Sequence, residues 1–240
     1  MCASISIGGQ ERISRGQVRI MKRKIITLLT TVTMMICMIG CGSAFDAQGY
    51  VQGFLDANIK GEFKTYAKLC DAKTSDLEKT YQESLNEIIN NWTIGTSIND
   101  NSKELIKESL VTILSKTDYT VNAATKHGTS YKVKVDVKPL HLDISADKMN
   151  TLNENAMNQY TEAYPDEDTT NEEAYYEIWS AMFAEYLTEL AENPTYDEQN
   201  TVTVEVLTDS DGKYGISKGD QRSLTSALLV TSETPAEKRN

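Results

Sequence analysis

Histidine and cysteine are scarce in this chain, and that scarcity removes whole classes of chemistry. There are two histidines, His127 and His141, among 240 residues. Neither has a second His or Cys at metal-ligand spacing, and both stand beside turns where solvation is expected, so none of the common zinc arrangements fits. Glycines never gather into a phosphate cradle or a dinucleotide fingerprint, and no serine sits in a nucleophile elbow. No cofactor and no metal is therefore expected. Two acidic stretches invite a calcium reading. Asp209, Asp211 and Gly212 lack the third acid and the distal glutamate of a calcium loop and read as a hairpin turn. The run Asp166, Glu167, Asp168, Glu172 and Glu173 is weighed as a weak cation site, but it reads better as negative charge complementing a helix N-terminus.

Long apolar runs are missing too. The greasiest segment, Ile25 to Ile39, spans 15 residues, whereas a helix needs roughly 20 to cross the hydrocarbon core. It follows three adjacent cations, Lys22, Arg23 and Lys24, so a basic flank and a short apolar stretch together read as a signal peptide. An uncleaved transmembrane anchor is the weaker alternative on length. The run ends in Met38-Ile39-Gly40-Cys41, which resembles the lipobox of bacterial lipoproteins. That resemblance implies cleavage between Gly40 and Cys41, diacylation of the Cys41 thiol, and a mature chain that starts at Cys41. Met38 departs from the usual leucine. Cys37 is a poor rival because bulky Ile36 precedes it. Two acyl chains on one cysteine suffice for stable anchoring. Residues 1–20 carry Arg12, Arg15 and Arg19 ahead of Met21 and make no sense before such a leader, so Met21 reads as the working start.

Removing residues 1–40 takes away six of the 24 cations and one of the 35 anions, which leaves a formal charge of −16. Such a body repels nucleic acid, which excludes that partner class, and it repels anionic lipid headgroups, which leaves the lipid on Cys41 as the membrane attachment. Of the four cysteines, Cys2 and Cys37 leave with the leader and Cys41 is taken by lipid. Cys70 is then alone, a small hydrophobe at the end of YAKLC, and no intramolecular disulfide is expected.

The remaining chain changes its period several times. Tyr50, Val51, Phe54, Leu55 and Ile59 mark one helical stripe, and a short helix follows Gly61. A third helix spaces Leu77, Tyr81, Leu85, Ile88 and Trp92, with Ser75 and Glu78 in capping-box relation. A fourth carries Ile106, Leu110 and Ile113. From Asp118 the period becomes two: Tyr119 and Val121 lead to a turn at His127-Gly128, after which Tyr131, Val133, Val135 and Val137 alternate with Lys132, Lys134, Asp136 and Lys138. Pro139 ends that strand. Two helices follow, the second with a broad stripe including Ile178, Trp179, Phe183 and Leu187 and a box at Thr170 and Glu173. Val202, Val204 and Val206 then alternate with polar neighbours up to a turn at Ser210 to Gly212, and a last short helix precedes a polar tail.

The fold class is α+β: N-terminal helices packed on a twisted antiparallel sheet built from two hairpins separated by a helix pair. The expected domains are an extension at 1–20, a leader at 21–40, a lipidated tether at 41–45, one folded unit at 46–230 and a disordered tail at 231–240. The stretches YVQGFLDANIKGEFKTYAKL and VEVLTDSDGKYGIS resemble the cone-shaped nuclear transport factor 2-like fold, as carried by Gram-positive lipoproteins of unknown function. The resemblance implies a pocket between sheet and helices lined by Tyr50, Phe54, Tyr66 and Tyr131. It also raises the alternative of a ketosteroid-isomerase-like enzyme with a carboxylate base in the cone. Strand parity puts Asp136 and Glu205 on the faces opposite the Tyr and Val rows, so such a base would have to come from a helix. The preferred reading is a ligand- or partner-binding module that engages a small molecule or an envelope protein.

Overall fold

The computed structural model describes residues 45–93, 96–165, 171–210 and 212–231. The leader, Gly40, Cys41, Asp166 to Asp168, Thr170, Asp211 and the tail from 232 onward lie outside the described residues. The first helix, α1 (Ala47–Leu55), starts because the Asp46 side chain accepts the Gly49 N–H, at 2.8 Å. It then widens into a π-turn over Asp56–Lys60. Gly61, at φ 71°, closes the turn, and the Asp56 carbonyl accepts N–H bonds from both Gly61 and Glu62. A side chain at 61 would be strained there, and its Cβ would come within 3.3 Å of the Tyr81 ring.

Next come α2 (Lys64–Leu69), α3 (Thr74–Trp92) and α4 (Asp100–Leu114). The capping box expected at Ser75 does not form. Helix α3 begins two residues earlier than that box requires, after Lys73, and has no side-chain cap. The sheet follows with β1 (Asp118–Val121), β2 (Thr125–His127) and β3 (Ser130–Lys138), then β4 (Leu140–Leu142), α5 (Ala146–Ala163) and α6 (Glu172–Glu192). Helix α6 is capped by Asn171, whose side chain accepts the Ala174 N–H. The chain ends with β5 (Asn200–Thr208), β6 (Tyr214–Ile216), α7 (Lys218–Leu228) and β7 (Leu229–Thr231).

The architecture is α+β, with seven α-helices among the described residues and a curled antiparallel sheet of the cone-like kind. Strand β3 is its axis. On one side β1 and β2 act as a single interrupted strand against it, and on the other β5 pairs over seven register positions from Tyr131↔Val206 to Val137↔Asn200. Period-two alternation decides which face is dry: Val133, Val135, Val137, Val204 and Val206 are fully buried, each worth about 1.5 kcal/mol or more of transfer free energy. Lys132, Lys134 and Lys138 stand exposed on the other face. Strand β6 pairs with the other side of β5 from Val206↔Ile216 to Thr208↔Tyr214, and where that pairing stops the Asp220 carboxylate of α7 accepts the Glu205 N–H.

Two features depart from expectation. Strands β4 and β7 form a separate parallel pair; both are only three residues long, too short for a period to show. Cys70 is disulfide-bonded in the uncut chain, a bridge that the expectation of no disulfide, made for a chain cut before Cys41, did not include. That expectation had counted Cys2 and Cys37 as removed and Cys41 as occupied by lipid; the full chain retains all three, and they lie outside the described residues.

Candidate functional site

The four residues expected to line a pocket are brought together, with two further rings. Tyr50, Phe54 and Tyr66 are at most 2% exposed. Tyr66 lies 5.7 Å from Tyr50 and 6.2 Å from Phe54 between ring centroids. Phe45, the first described residue, stacks on Tyr214 at 3.8 Å and touches Tyr131 at 5.8 Å and Tyr50 at 5.6 Å. Tyr131 is half-buried and borders the cluster. Burial raises the Tyr50 hydroxyl pKa, and a hydrogen bond with Tyr66 offsets part of that rise. The six rings therefore pack against one another, and Phe45 is the element that ties the N-terminal end of the domain to the sheet.

On the far side of α1, the π-turn builds a polar group that sequence spacing did not reveal. Tyr119, from β1, donates its O–H to Asp56 Oδ1 at 2.6 Å, and Gln52 Nε2 donates to the same oxygen at 2.8 Å. The Lys60 ammonium sits 4.5 Å from the centre of the Tyr119 ring. The Tyr119 hydroxyl is pushed far up by burial first, then by its bond to Asp56 and the charges of Asp56 and Glu62. It is therefore a permanent donor at neutral pH. Gln52 and Asp56 are four residues apart on one helical face, but Tyr119 comes from 63 residues further on, a distance no local pattern reports. Inside the same turn, Asn58 is 1% exposed and donates to the Phe54 carbonyl at 2.6 Å. Its Oδ1 has no partner among the described residues.

His141 also has a partner that was not anticipated. Its Nε2 lies 2.5 Å from Asp197 Oδ1. Backbone bonds from His141 to Thr195 and from Asp197 to Pro139 hold the two segments in register. His127 stands exposed in β2. No nucleophile is bonded to either imidazole among the described residues. Asp136 and Glu205 face away from the dry side as parity requires: Thr201 and Asn122 donate to Asp136, at 2.5 and 2.9 Å, and Ser130 donates to Glu205 at 2.7 Å. These bonds hold the Asp136 carboxyl below its ordinary pKa.

Among the described residues no group of three or more His, Cys, Asp or Glu is placed to hold a metal ion. The Asp209 carboxylate accepts the Lys213 N–H at 2.9 Å, and Gly212 has a φ of 76°, as a tight turn requires. Glu172 accepts from Ser97, and Glu177 from Asn99. An open depression of about 470 Å³ lies on the outer face of α3, lined by Glu83, Asn86, Glu87, Asn90 and Asn91. Its walls are acids and amides.

No protein-family model matches the chain, and no curated protein sequence matches it either. A solved structure with the same fold is that of a candidate lipoprotein (ycdA) from Bacillus subtilis subsp. subtilis str. 168, with a TM-score of 0.51 and 14% identity over 77% of this chain. The match spans 56% of the length of that protein. At such identity the likeness is one of fold. Among the described residues no helix is long and apolar enough to cross a membrane.

Proposed function

We propose that the chain is a lipid-anchored lipoprotein of the extracytoplasmic membrane face, translated from Met21 and cut before Cys41, whose α+β domain binds a cationic envelope partner or ligand. The observation that carries the anchor is the order of features in the first 45 residues: a cationic flank, a 15-residue apolar run, Gly40-Cys41, and four residues later the Phe45 ring of the folded domain. The fold shared with a candidate lipoprotein supports this reading, and the nuclear transport factor 2-like assignment is its finer form. The binding role rests on charge. Helix α6 carries six glutamates and no Lys or Arg, and the depression on α3 is lined by Glu83 and Glu87. Such a surface attracts cations and binds them less well as salt rises.

The test is a thermal-shift screen of the soluble domain against peptidoglycan fragments and cationic peptides, with pull-down from envelope extract at low and high salt. Binding that weakens with salt and falls on Glu185→Gln and Glu189→Gln supports the reading. Binding insensitive to both removes it.

The second reading is a proton-transfer enzyme of the ketosteroid-isomerase type. What favours it is Asp56, a carboxylate at the end of α1 beside a tyrosine. Against it, Asp56 Oδ1 already accepts hydrogen bonds from Gln52 and Tyr119, so that oxygen is engaged within the fold and is not turned toward a substrate. Loss of a measured turnover in Asp56→Asn, with the fold intact, would establish the enzyme.

A further inference from the structure

The end of the sheet nearest the anchor is defined by Phe45. Its ring lies on Tyr214, the residue that opens β6 immediately after the turn at 209–213, and against Tyr131, one residue beyond the start of β3 after the turn at His127–Ser130. The two turns are joined to each other, since Thr208 Oγ1 donates to the Thr129 carbonyl at 2.6 Å. Only Gly42, Ser43 and Ala44 separate Cys41 from Phe45. Four residue steps span at most about 14 Å. The opposite end of β3, at Lys138, is seven residues beyond Tyr131, or about 24 Å away along the strand. A lipid on Cys41 therefore holds both hairpin tips closer to the bilayer than the sheet is long.

Charge then selects the side that faces down. The helical side is acidic, with six glutamates on α6 and only Lys79 as a cation on α3. The wet face of the sheet presents Lys132, Lys134 and Lys138, and Lys126 lies 6.0 Å from the Tyr131 ring near the tips. Three acids share this face and offset three of those four lysines: Asp118 pairs with Lys138, while Asp136 and Glu205 keep their charge in hydrogen bonds from Thr201, Asn122 and Ser130. An anionic surface repels the helical side and not this one.

We infer that the domain docks on an anionic bilayer through its two hairpin tips and the lysine-bearing face of its sheet, which turns α3 and α6 outward. This inference rests on the lipid-anchor reading. The experiment uses the full-length lipidated protein in nanodiscs of phosphatidylglycerol containing a headgroup spin-labelled lipid, with amide signals read by NMR before and after chemical reduction of the label. The expected result is loss of the Gly128, Thr129 and Gly212 signals and broadening at Lys132 and Lys134, with the α6 signals intact. In phosphatidylcholine discs, or in the Lys132→Glu/Lys134→Glu protein, the tips stay broadened and the sheet face recovers. Broadening on α6, unbroadened tips, or the same pattern in both lipids overturns the orientation while leaving the anchor. Protein that does not co-elute with discs overturns the anchor reading, and the orientation falls with it.

Discussion

Replacing Gly53 with alanine sets two opposing terms against each other at one atom. Gly53 lies inside α1, where it faces α2, and an added Cβ would stand 3.1 Å from the Tyr66 backbone nitrogen, 3.2 Å from its Cα and 3.4 Å from its Cβ. Alanine relieves the helix-propensity cost of glycine, a gain of about 1 kcal/mol. The same methyl must push a helix backbone rather than the end of a flexible side chain, which costs about 1–3 kcal/mol in a packed core. Tyr66 cannot retreat cheaply, because it is 1% exposed and its ring is flanked by Tyr50 and Phe54. The overpacking cost therefore wins, with a net loss of about 1 kcal/mol. The assay is urea unfolding of a soluble form beginning at Ser43. With a slope of about 2 kcal/mol per molar, the midpoint should fall by about 0.5 M at unchanged slope. Gly219, exposed in the first turn of α7 with its nearest neighbour at 3.6 Å, is the control, and Gly219→Ala should hold or raise the midpoint. A midpoint raised by about 0.5 M in Gly53→Ala would mean that α2 moves aside freely, and the close-packing argument would be refuted.

Three further outcomes are expected. Asp136 has a folded-state pKa held below its ordinary value by Thr201 and Asn122, so its contribution to stability is present above the unfolded-state pKa and disappears as pH falls through the folded one; melting temperature against pH should decline less steeply on the acid side in Asp136→Asn. Tyr119→Phe should destabilise the domain by about 1–3 kcal/mol, because it removes a hydrogen bond to a carboxylate, and a double-mutant cycle with Asp56→Asn should show strong coupling, whereas additive losses would mean the pair is not a unit. In membrane-extracted protein, mass spectrometry should find a thioether-linked lipid on Cys41. A Cys41–Cys70 bridge in a non-reducing peptide map would exclude it, since one sulfur cannot form both bonds.

The parts of the fold legible in the sequence are those whose signal repeats. Val133, Val135 and Val137 alternate with lysines over enough residues to name both the strand and its dry face, and the α+β order of helices, hairpin, helix pair and hairpin follows from the changes of period. The stripe on α6 was read correctly as helical but only partly as core: Phe183 and Leu187 are buried, whereas Ile178 and Trp179 are half-exposed. Periodicity reports a face and does not report how much covers it. The helix starts at Ser75 and Thr170 were misplaced for different reasons: Asn171 caps α6 one position later than Thr170, whereas α3 starts after Lys73 with no side-chain cap at all. Tyr119 with Asp56, and His141 with Asp197, could not be found by spacing, since each pair is assembled by the sheet from distant segments. The π-turn itself has a faint signature in Asn58, a buried amide next to Gly61, which becomes meaningful only once the helix path is known.

The placement of β7 has a mechanical consequence. Its partner β4 lies just past Pro139, beyond the Lys138 end of β3, while Phe45 enters beside Tyr131 at the other end, so the described chain begins and finishes at opposite poles of the sheet. A force applied between those poles runs along the strands, at right angles to their hydrogen bonds. The C-terminal end of that path is held by the three-position β4–β7 pairing, far shorter than the seven-position β3–β5 ladder, so a pull along this axis meets β4–β7 before the main sheet.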